Sequence, residues 1–257
     1  MKTPRVELAC LLAILALALD ASGAGEEAAK GPPLRVGVAA NLKPLIFKEG
    51  KEFRGLEADL ARALAGRLGR PLAFVEVRWE KLIDELEAKK FDIIMSGVTV
   101  TPARQTRVAF AQPYLLTGQT ALVRRDQAAR MQIFFRDPVN RFGAQRNTTG
   151  AYYLEQTFPK AKRTLYADPE SGAEALVKNK IDAFITDASV NWYQAAVNEA
   201  KGLVVLNLRL TQESLAWAVR KEDASLLQAA NDFAQKAIAS GELKNMVERW
   251  LPRFLAE

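Results

Sequence analysis

The chain has no histidine and a single cysteine, Cys10, among its 257 residues. The lack of histidine excludes histidine-based catalytic triads and the commonest zinc ligand sets. Cys10 lies inside an N-terminal apolar run, so a mature chain without that run would have no disulfide and no cysteine nucleophile. We therefore predict no catalytic residue, no metal site and no cofactor.

Long apolar runs are also scarce, since the only one covers residues 8–19. Lys2 and Arg5 precede it and small residues follow it at 21–24, which is the pattern of a secretory signal peptide. The run is too short to be a comfortable membrane anchor. We predict a signal peptide over residues 1–24, cleaved after Gly23 or Ala24, and a flexible lead-in over 25–33. Cys10 precedes most of the run rather than ending it, so a lipid anchor is not expected.

The net charge of +6 comes from 36 basic and 30 acidic residues that are spread along the chain. Nucleic-acid binding would favour a basic stripe interleaved with exposed aromatic residues. No such stripe is present, so we predict a solvated basic surface and no nucleic-acid partner.

Apolar periodicity predicts two successive α/β units. In the first unit, strands at 34–38, 72–77 and 91–95 alternate with helices at 56–68 and 82–86. In the second, strands at 141–145, 163–166 and 181–186 alternate with helices from 149 and at 169–178, before a helix from 189 and a strand at 203–208. A last strand at 215–220 precedes helices at 224–240 and 242–250. The alternation predicts mainly parallel sheets flanked by helices.

Two such units suggest two lobes that face one another across a cleft, where small ligands usually bind. Crossings near 114–119 and 210–215 would join the lobes as a two-stranded hinge. We predict that lobe 1 consists of residues 34–116 and 215–257, and that lobe 2 covers 117–214.

Segment 91–104 carries the strongest indication of a site. Ser96, Gly97 and Thr99 follow a buried strand at its carboxyl end, where open α/β sheets place their ligands. Thr101 and Pro102 predict a helix start, which puts Arg104 in the first turn. A cation there opposes the helix dipole unless an anion offsets the conflict. The alternative is a surface arginine paired with a nearby carboxylate.

Several motifs resemble one family in their order and spacing. They are LRVGV at 34–38, GLEADLARALAGRLG at 55–69, FDIIMSGVTVTPAR at 91–104, FAQPY at 110–114, NKIDAFITD at 179–187 and GELKNMVERW at 241–250. The chain resembles the bacterial extracellular solute-binding proteins of family 3. The resemblance implies the two-lobed periplasmic-binding-protein fold of type II. It also implies a periplasmic monomer that captures a polar amino acid or close relative and delivers it to an inner-membrane ABC permease, a transient partner.

The resemblance also assigns ligand-binding roles. Arg104 would hold the ligand carboxylate, and Asp187 would hold its ammonium group. Trp79 would line the pocket. Further ligand-binding residues expected are Thr99, Ser96, Gly97, Thr148, Thr149, Asn147, Gln145, Leu42 and Asn41. From the residues alone, Asp187 could equally be a helix N-cap and Trp79 a core residue.

The loop at 39–45 departs from the family, because it lacks the usual acidic and aromatic residues. If Ala39 replaces a second carboxylate, Asp187 alone must balance the ligand's ammonium group, or the ligand is not a standard α-amino acid. Leu42 provides no ring face for a cation, which argues modestly against a cationic ligand. Two alternatives stay open: an orphan sensory binding protein, and a cyclohexadienyl dehydratase-like enzyme. The acids available to the latter are Glu155, Asp168 and Glu170.

Overall fold

The computed structural model describes residues 31–252. The predicted signal peptide and residues 25–30 of the predicted lead-in lie outside the described residues. The strands are β1 (Leu34–Val38), β2 (Asn41–Leu42), β3 (Ile46–Glu49), β4 (Glu52–Arg54), β5 (Leu72–Glu76), β6 (Ile93–Ile94), β7 (Ala109–Phe110), β8 (Leu115–Thr117), β9 (Gln119–Arg124), β10 (Arg141–Gln145), β11 (Lys162–Tyr166), β12 (Ala183–Asp187), β13 (Leu203–Val205), β14 (Glu213–Leu215) and β15 (Ala218–Val219). The helices are α1 (Leu56–Arg67), α2 (Leu82–Glu87), α3 (Pro102–Gln105), α4 (Ala128–Phe134), α5 (Thr149–Thr157), α6 (Pro169–Val177), α7 (Ala188–Val197), α8 (Ala224–Ser240) and α9 (Glu242–Trp250).

Each lobe is built on one five-stranded sheet. The first sheet has the order β5-β1-β6-β15-β7, in which β1 is parallel to β5 and β6 while β15 runs antiparallel. The second has the order β11-β10-β12-β9-β13, in which β10 is parallel to β11 and β12 while β9 runs antiparallel. Most strands of each sheet therefore run in the same direction. The predicted two-lobed α/β fold is confirmed.

The hinge consists of β8 and β14, which pair antiparallel with Glu213 opposite Thr117. The late strand β15 inserts between β6 and β7, so the chain returns to the first sheet after crossing the hinge. Trp217, which lies between β14 and β15, is fully buried and stacks on Tyr114 with ring centroids 5.5 Å apart. The returning segment is thus fastened into the core of the first lobe.

Local sequence explains where the helices nearest the cleft begin. Thr101 caps α3, Thr148 caps α5 and Asp168 caps α6, each by accepting a hydrogen bond from a backbone N–H in the first turn. A capping oxygen satisfies a donor that has no partner within the helix. These three helices therefore begin at residues whose side chains stabilise a helix N-terminus.

Two short elements differ from the predicted strands. The small sheet β2-β3-β4 was not predicted and lies in a stretch with many charged, exposed residues, and the central strand β6 covers only two of the five residues predicted at 91–95. Strands of two to four residues carry too little periodicity to be recognised from sequence. Within residues 31–252, no helix combines the length and apolar character needed to cross a bilayer.

A methyl group at Gly118 is expected to destabilise the hinge. The Cβ of an alanine there would lie 2.0 Å from the carbonyl oxygen of Thr211, which belongs to the opposite crossing. Because backbone must move to relieve this contact, Gly118→Ala should lower the free energy of unfolding by about 1–3 kcal/mol. Gly66→Ala is the matched control, since Gly66 lies in α1, where an added Cβ would meet nothing within 4 Å beyond its own stretch of helix, and it should stabilise by about 0.5–1 kcal/mol. Thermal unfolding checks both, and an unchanged Tm in Gly118→Ala would contradict this account.

Candidate functional site

The lobes face one another across a narrow cleft lined by residues of both. Its walls comprise Asn41, Leu42, Trp79, Gly97, Thr99, Arg104, Gln145, Thr148, Thr149, Thr186 and Asp187. The space open to a water-sized sphere is only about 10 Å³. A molecule as large as an amino acid can therefore enter only if the lobes move apart.

Arg104 lies at the end of the cleft formed by the first lobe. Its backbone N–H donates to the capping Oγ1 of Thr101 at 3.2 Å, and its Nη1 donates to the carbonyl of Thr99 at 2.9 Å. Its guanidinium carbon lies 5.5 Å from the ring centroid of Trp79. Burial lowers the pKa of Arg104, but an arginine keeps its charge. Among residues 31–252 Arg104 forms no salt bridge, so the surface ion pair considered above is not formed.

Asp187 ends β12 on the opposite side of the cleft. It precedes α7, but its side chain does not cap that helix and instead accepts a hydrogen bond from Nε2 of Gln119 at 3.1 Å. Burial raises the pKa of Asp187 to about 7, with a further contribution from the charge of Glu213. Arg104 and Gln119 act in the opposite direction. The carboxyl group is therefore free of the capping role and faces a cation across the cleft.

Glu213, in the hinge strand β14, places a second carboxylate next to the cleft without lining it. Its Oε2 accepts hydrogen bonds from Thr99 Oγ1 at 3.0 Å, Thr149 Oγ1 at 2.9 Å and Gln119 Nε2 at 3.4 Å. Its Oε1 accepts from Thr211 Oγ1 at 2.8 Å. Thr99 belongs to the first lobe and Thr149 to the second, so this carboxylate connects both lobes to the hinge.

That Asp187 alone balances a ligand ammonium group stays a prediction, with Glu213 as a second carboxylate nearby. The sequence did not single out Glu213, because its contacts depend on the strand register that sets it opposite Thr117, and a charged residue in a hinge crossing was the only sequence signal. Gln119 and Thr186 were also missed. Thr186 lines the cleft one residue before Asp187 in β12, and Gln119 opens β9 beside the hinge.

Trp79 both lines the cleft and packs against the apolar cluster behind it. Its Nε1 donates to the carbonyl of Asn147 at 3.0 Å, which is a contact between the lobes. Asn147 has a left-handed backbone (φ 58) and contributes this carbonyl rather than a wall of the cleft. Thr148, which caps α5, and Thr149 do line it.

Ser96 is the other predicted residue that does not line the cleft. Its buried hydroxyl accepts a hydrogen bond from the backbone N–H of Ala39 at 2.9 Å and so fixes the loop behind the site. Gln145 lines the cleft and donates to the carbonyl of Ala167 at 3.0 Å. Gly97 also lines it, with φ 64, a backbone conformation that favours glycine.

A buried carboxyl group supports the backbone at Gly97 from behind. Glu57 accepts hydrogen bonds from the Gly97 N–H at 2.6 Å, the Tyr114 hydroxyl at 2.6 Å and Trp217 Nε1 at 3.0 Å. Burial raises the pKa of Glu57 to about 7, although all three hydrogen bonds favour its ionised form. The polar turn of the first lobe is therefore held by a fixed network rather than by solvent.

The acids considered for a dehydratase lie away from the cleft wall. Asp168 caps α6 by accepting from the Ser171 N–H at 2.7 Å, and Glu155 is exposed on α5. Glu170 forms a salt bridge with Lys43 at 3.0 Å, which links the lobes at the surface. No group of three or more potential metal-ligating acids is found in the part of the chain that the structure describes.

Known proteins resemble this chain in sequence and in fold. The profile described as "Bacterial extracellular solute-binding proteins, family 3" matches residues 34–253. ABC transporter arginine-binding protein 1 of Escherichia coli is 25% identical over 244 residues, covering 93% of this chain and 98% of that protein. The crystal structure of an ancestral amino-acid-binding protein, a precursor of cyclohexadienyl dehydratase, is 35% identical with a TM-score of 0.78, covering 85% of this chain and 94% of that one.

A second solved structure agrees with the first. A putative ABC transporter binding component from Wolinella succinogenes, complexed with lysine, is 30% identical with a TM-score of 0.82, covering 89% of this chain and 100% of that one. The profile, the relatives and the two-lobed fold lead to the same conclusion: the chain belongs to the bacterial extracellular solute-binding proteins of family 3.

Proposed function

We propose that this protein is a periplasmic receptor that captures a polar amino acid between its lobes and delivers it, as a monomer, to an inner-membrane ABC permease. The observation that carries this proposal is the opposition of Arg104 and Asp187 across one cleft. A guanidinium fork suits a carboxylate, and a buried carboxylate suits an ammonium group. The pair therefore matches the two charged groups that every α-amino acid shares.

The names of the relatives support the ligand class. They include proteins that bind arginine, L-cystine and, in a probable assignment, histidine, at 25–28% identity. These ligands differ in their side chains and share the α-carboxylate and α-ammonium groups. At this identity, the shared head group is what the comparison supports, and the side-chain preference must come from this chain's own residues.

Closure of the lobes around a ligand is the change by which a permease would recognise the loaded receptor. The ligand must part the lobes to enter, and it must then favour the closed arrangement, since equal affinity for open and closed states would shift neither. Contacts that already connect the lobes, such as Trp79 with Asn147 and Lys43 with Glu170, re-form as they close. A permease can then distinguish loaded from empty receptor by shape.

A thermal-shift screen tests this proposal. After unfolding and refolding to remove co-purified ligand, at least one amino acid should stabilise the protein by about 2.7 kcal/mol when present at about 100 times its Kd. For a chain of this size that corresponds to a rise in Tm of about 5–10 °C. The corresponding amino acid amide and the deaminated acid are the controls, since each lacks one charged group. If no amino acid raises the Tm, the proposal is wrong.

A dehydratase is the second candidate function, and one observation favours it. Asp187 has a pKa near 7 in the cleft, and a carboxyl group that keeps its proton near neutral pH can act as a general acid. A cyclohexadienyl dehydratase from Pseudomonas aeruginosa is 25% identical over 250 residues. Incubation with prephenate and detection of phenylpyruvate decides between the two, and the receptor proposal expects no product.

A further inference from the structure

We propose that Gln119 is a positioning residue: its side-chain amide points the Asp187 carboxylate into the cleft and keeps that carboxylate ionised. Gln119 is not one of the residues that line the cleft, so it acts on the ligand through Asp187. This inference rests on the proposed function, in which Asp187 receives the ligand's ammonium group. It adds to that function a residue that the ligand does not touch.

The backbone places the two side chains against each other. Gln119 opens β9 and lies directly opposite Asp187 in the antiparallel pairing of β9 with β12, so both side chains leave the same face of the sheet. Next to this pair, the carbonyl of Gly118 accepts a hydrogen bond from the Ala188 N–H at 3.0 Å. The Gln119 N–H donates to Thr211 Oγ1 at 2.8 Å. The backbone of Gln119 is therefore held by β12 on one side and by the hinge on the other.

The acceptors around Gln119 decide which way its amide points. Nε2 lies 3.1 Å from Asp187 Oδ1, 3.1 Å from Thr149 Oγ1 and 3.4 Å from Glu213 Oε2. Ionised carboxylates accept hydrogen bonds and cannot donate them. The reverse orientation would set the carbonyl oxygen of the amide against two carboxylates, so the nitrogen must face them.

The other end of the same amide shows that packing alone does not account for a glutamine here. Gln119 is 1% exposed, and its Oε1 has no hydrogen-bond partner among residues 31–252. A buried acceptor without a partner destabilises a fold. A methionine would fill a similar space without an unpaired oxygen. The contacts of Nε2 therefore outweigh the loss at Oε1.

Asp187 depends on this donor more than Glu213 does. Glu213 also accepts hydrogen bonds from three threonine hydroxyl groups at 2.8 to 3.0 Å. The Asp187 side chain does not cap α7, and the amide of Gln119 is its side-chain partner. A hydrogen bond donated to a buried carboxylate favours the ionised form, whereas burial favours the protonated form. Loss of the amide therefore shifts Asp187 towards its protonated form.

Three titratable groups face Asp187 from the surrounding elements. Burial and then the charge of Glu213 raise the pKa of Asp187 to about 7, while Arg104 and the hydrogen bond from Gln119 lower it. The third group, Tyr114, is itself buried, which raises its pKa above the ordinary value and leaves it uncharged near neutral pH. Because Gln119 carries no charge, its replacement alters the ionisation of Asp187 without adding or removing another charge.

A purely structural role for Gln119, as a spacer at the hinge, predicts a different result. Such a spacer would affect binding by the same factor at every pH, since no proton is involved. A residue that keeps Asp187 ionised matters most at low pH and little where Asp187 is ionised in any case. Comparing variant and wild type at each pH cancels the titration of the ligand's own ammonium group.

Calorimetric titration of the full mature protein between pH 5.5 and 8.5 is the test. The probes are those of the twenty standard L-amino acids that bind wild-type protein. Gln119→Met should move the affinity profile up by about one pH unit. The Kd should then be weaker than that of wild type by about tenfold at pH 5.5, about fivefold at pH 7 and less than about twofold at pH 8.5. Proton release on binding at pH 7 should rise from about half a proton to about nine-tenths.

Nuclear magnetic resonance of protein labelled with ¹³C at the aspartate carboxyl carbons measures the same effect without a ligand. Asp187→Asn identifies the resonance by its loss. In Gln119→Met the midpoint of the Asp187 titration should move up with the affinity profile. Gln119→Asn keeps a polar amide but is one methylene shorter, and it should move both in the same direction if the methionine variant does not fold.

Gln194→Met is the matched control, because Gln194 is an equally buried glutamine whose Oε1 accepts from Asn198 rather than facing Asp187. It should leave the affinity profile unchanged. Equal weakening at every pH in Gln119→Met, an unshifted Asp187 titration, or the same shift in Gln194→Met each overturns the inference. The proposed function survives these results as long as wild-type protein binds an amino acid. If none binds, the proposed function is refuted, and the Asp187 titration still decides whether Gln119 keeps the carboxylate ionised.

Discussion

Replacing Arg104 by alanine is expected to weaken binding of the best amino acid ligand about 100-fold or more. The guanidinium is held by Thr99 and lies against Trp79, so it is already oriented when a carboxylate arrives. Its removal leaves the ligand's carboxylate unpaired in a site that excludes water, and the net charge of the site becomes more negative. Calorimetric titration measures the loss directly.

Arg107→Ala is the matched control, because Arg107 lies three residues further on and is exposed. It pairs with Asp84 and Glu87 on α2 rather than with the cleft, so its loss should change the Kd by about twofold or less. Arg104→Lys should retain part of the affinity, since a lysine keeps the charge but not the bidentate fork. A Kd that is unchanged in Arg104→Ala would refute the carboxylate assignment and with it the orientation of the ligand.

Local signals in the sequence were sufficient to predict the local structure of one half of the candidate site. The buried strand before Ser96, the Thr101 cap and Pro102 all act within a few residues of Arg104, and the structure arranges them as the pattern indicates. Periodicity likewise located the long helices, of which α8 and α9 have the predicted bounds. These features depend on short-range physics, namely capping, fixed proline geometry and the burial of one helical face.

The other half of the candidate site, around Asp187 and Glu213, depends on contacts between residues that are far apart in the sequence. Glu213 reaches Thr99 and Thr149 only because the hinge strands pair in one register, and these residues are 114 and 64 positions away. Whether Asp187 capped α7 or faced the cleft was undecided for the same reason, since Gln119 contacts it from 68 residues away. A sequence pattern carries no information about such pairings until the topology is known.

The departure at the loop 39–45 is explained by its surroundings. Ala39 is buried in the cluster with Leu82 and Val98, where a carboxylate would lack donors, while Ser96 already occupies its backbone N–H. The carboxylates in and next to the cleft come from β12 and the hinge instead, at Asp187 and Glu213. An acidic residue missing from one wall of a cleft therefore says little about ligand charge until the remaining walls are known.

Ligand affinity is expected to rise with pH and to level off above about pH 7, because the ligand's ammonium group requires Asp187 to be ionised. Burial and then the charge of Glu213 raise the pKa of Asp187 to about 7, while Arg104 and Gln119 oppose the rise. Below that pH, binding must first remove a proton, and the Kd should weaken by about tenfold per pH unit. Titrations between pH 5 and 8 measure the slope, and buffers of different ionisation enthalpy measure the proton released.

Stability of the ligand-free protein should show the opposite pH dependence. Asp187 has a folded-state pKa of about 7 against an ordinary value of 3.8, so the folded protein binds more protons between these values than the unfolded chain does. The contribution of Asp187 to the free energy of unfolding is fully present below about pH 4 and is lost as the pH rises to about 7. Glu57, whose pKa is raised from 4.5 to about 7 by burial, adds to the same decline in stability without touching the ligand.

Asp187→Asn should therefore remove the pH dependence of ligand affinity below pH 7, while Glu57 preserves part of the pH dependence of the Tm. Glu213→Gln should shift the affinity profile to lower pH, since it removes a charge that raises the pKa of Asp187. An affinity that stays constant from pH 5 to 8 in wild-type protein would show that Asp187 is not the partner of the ligand's ammonium group.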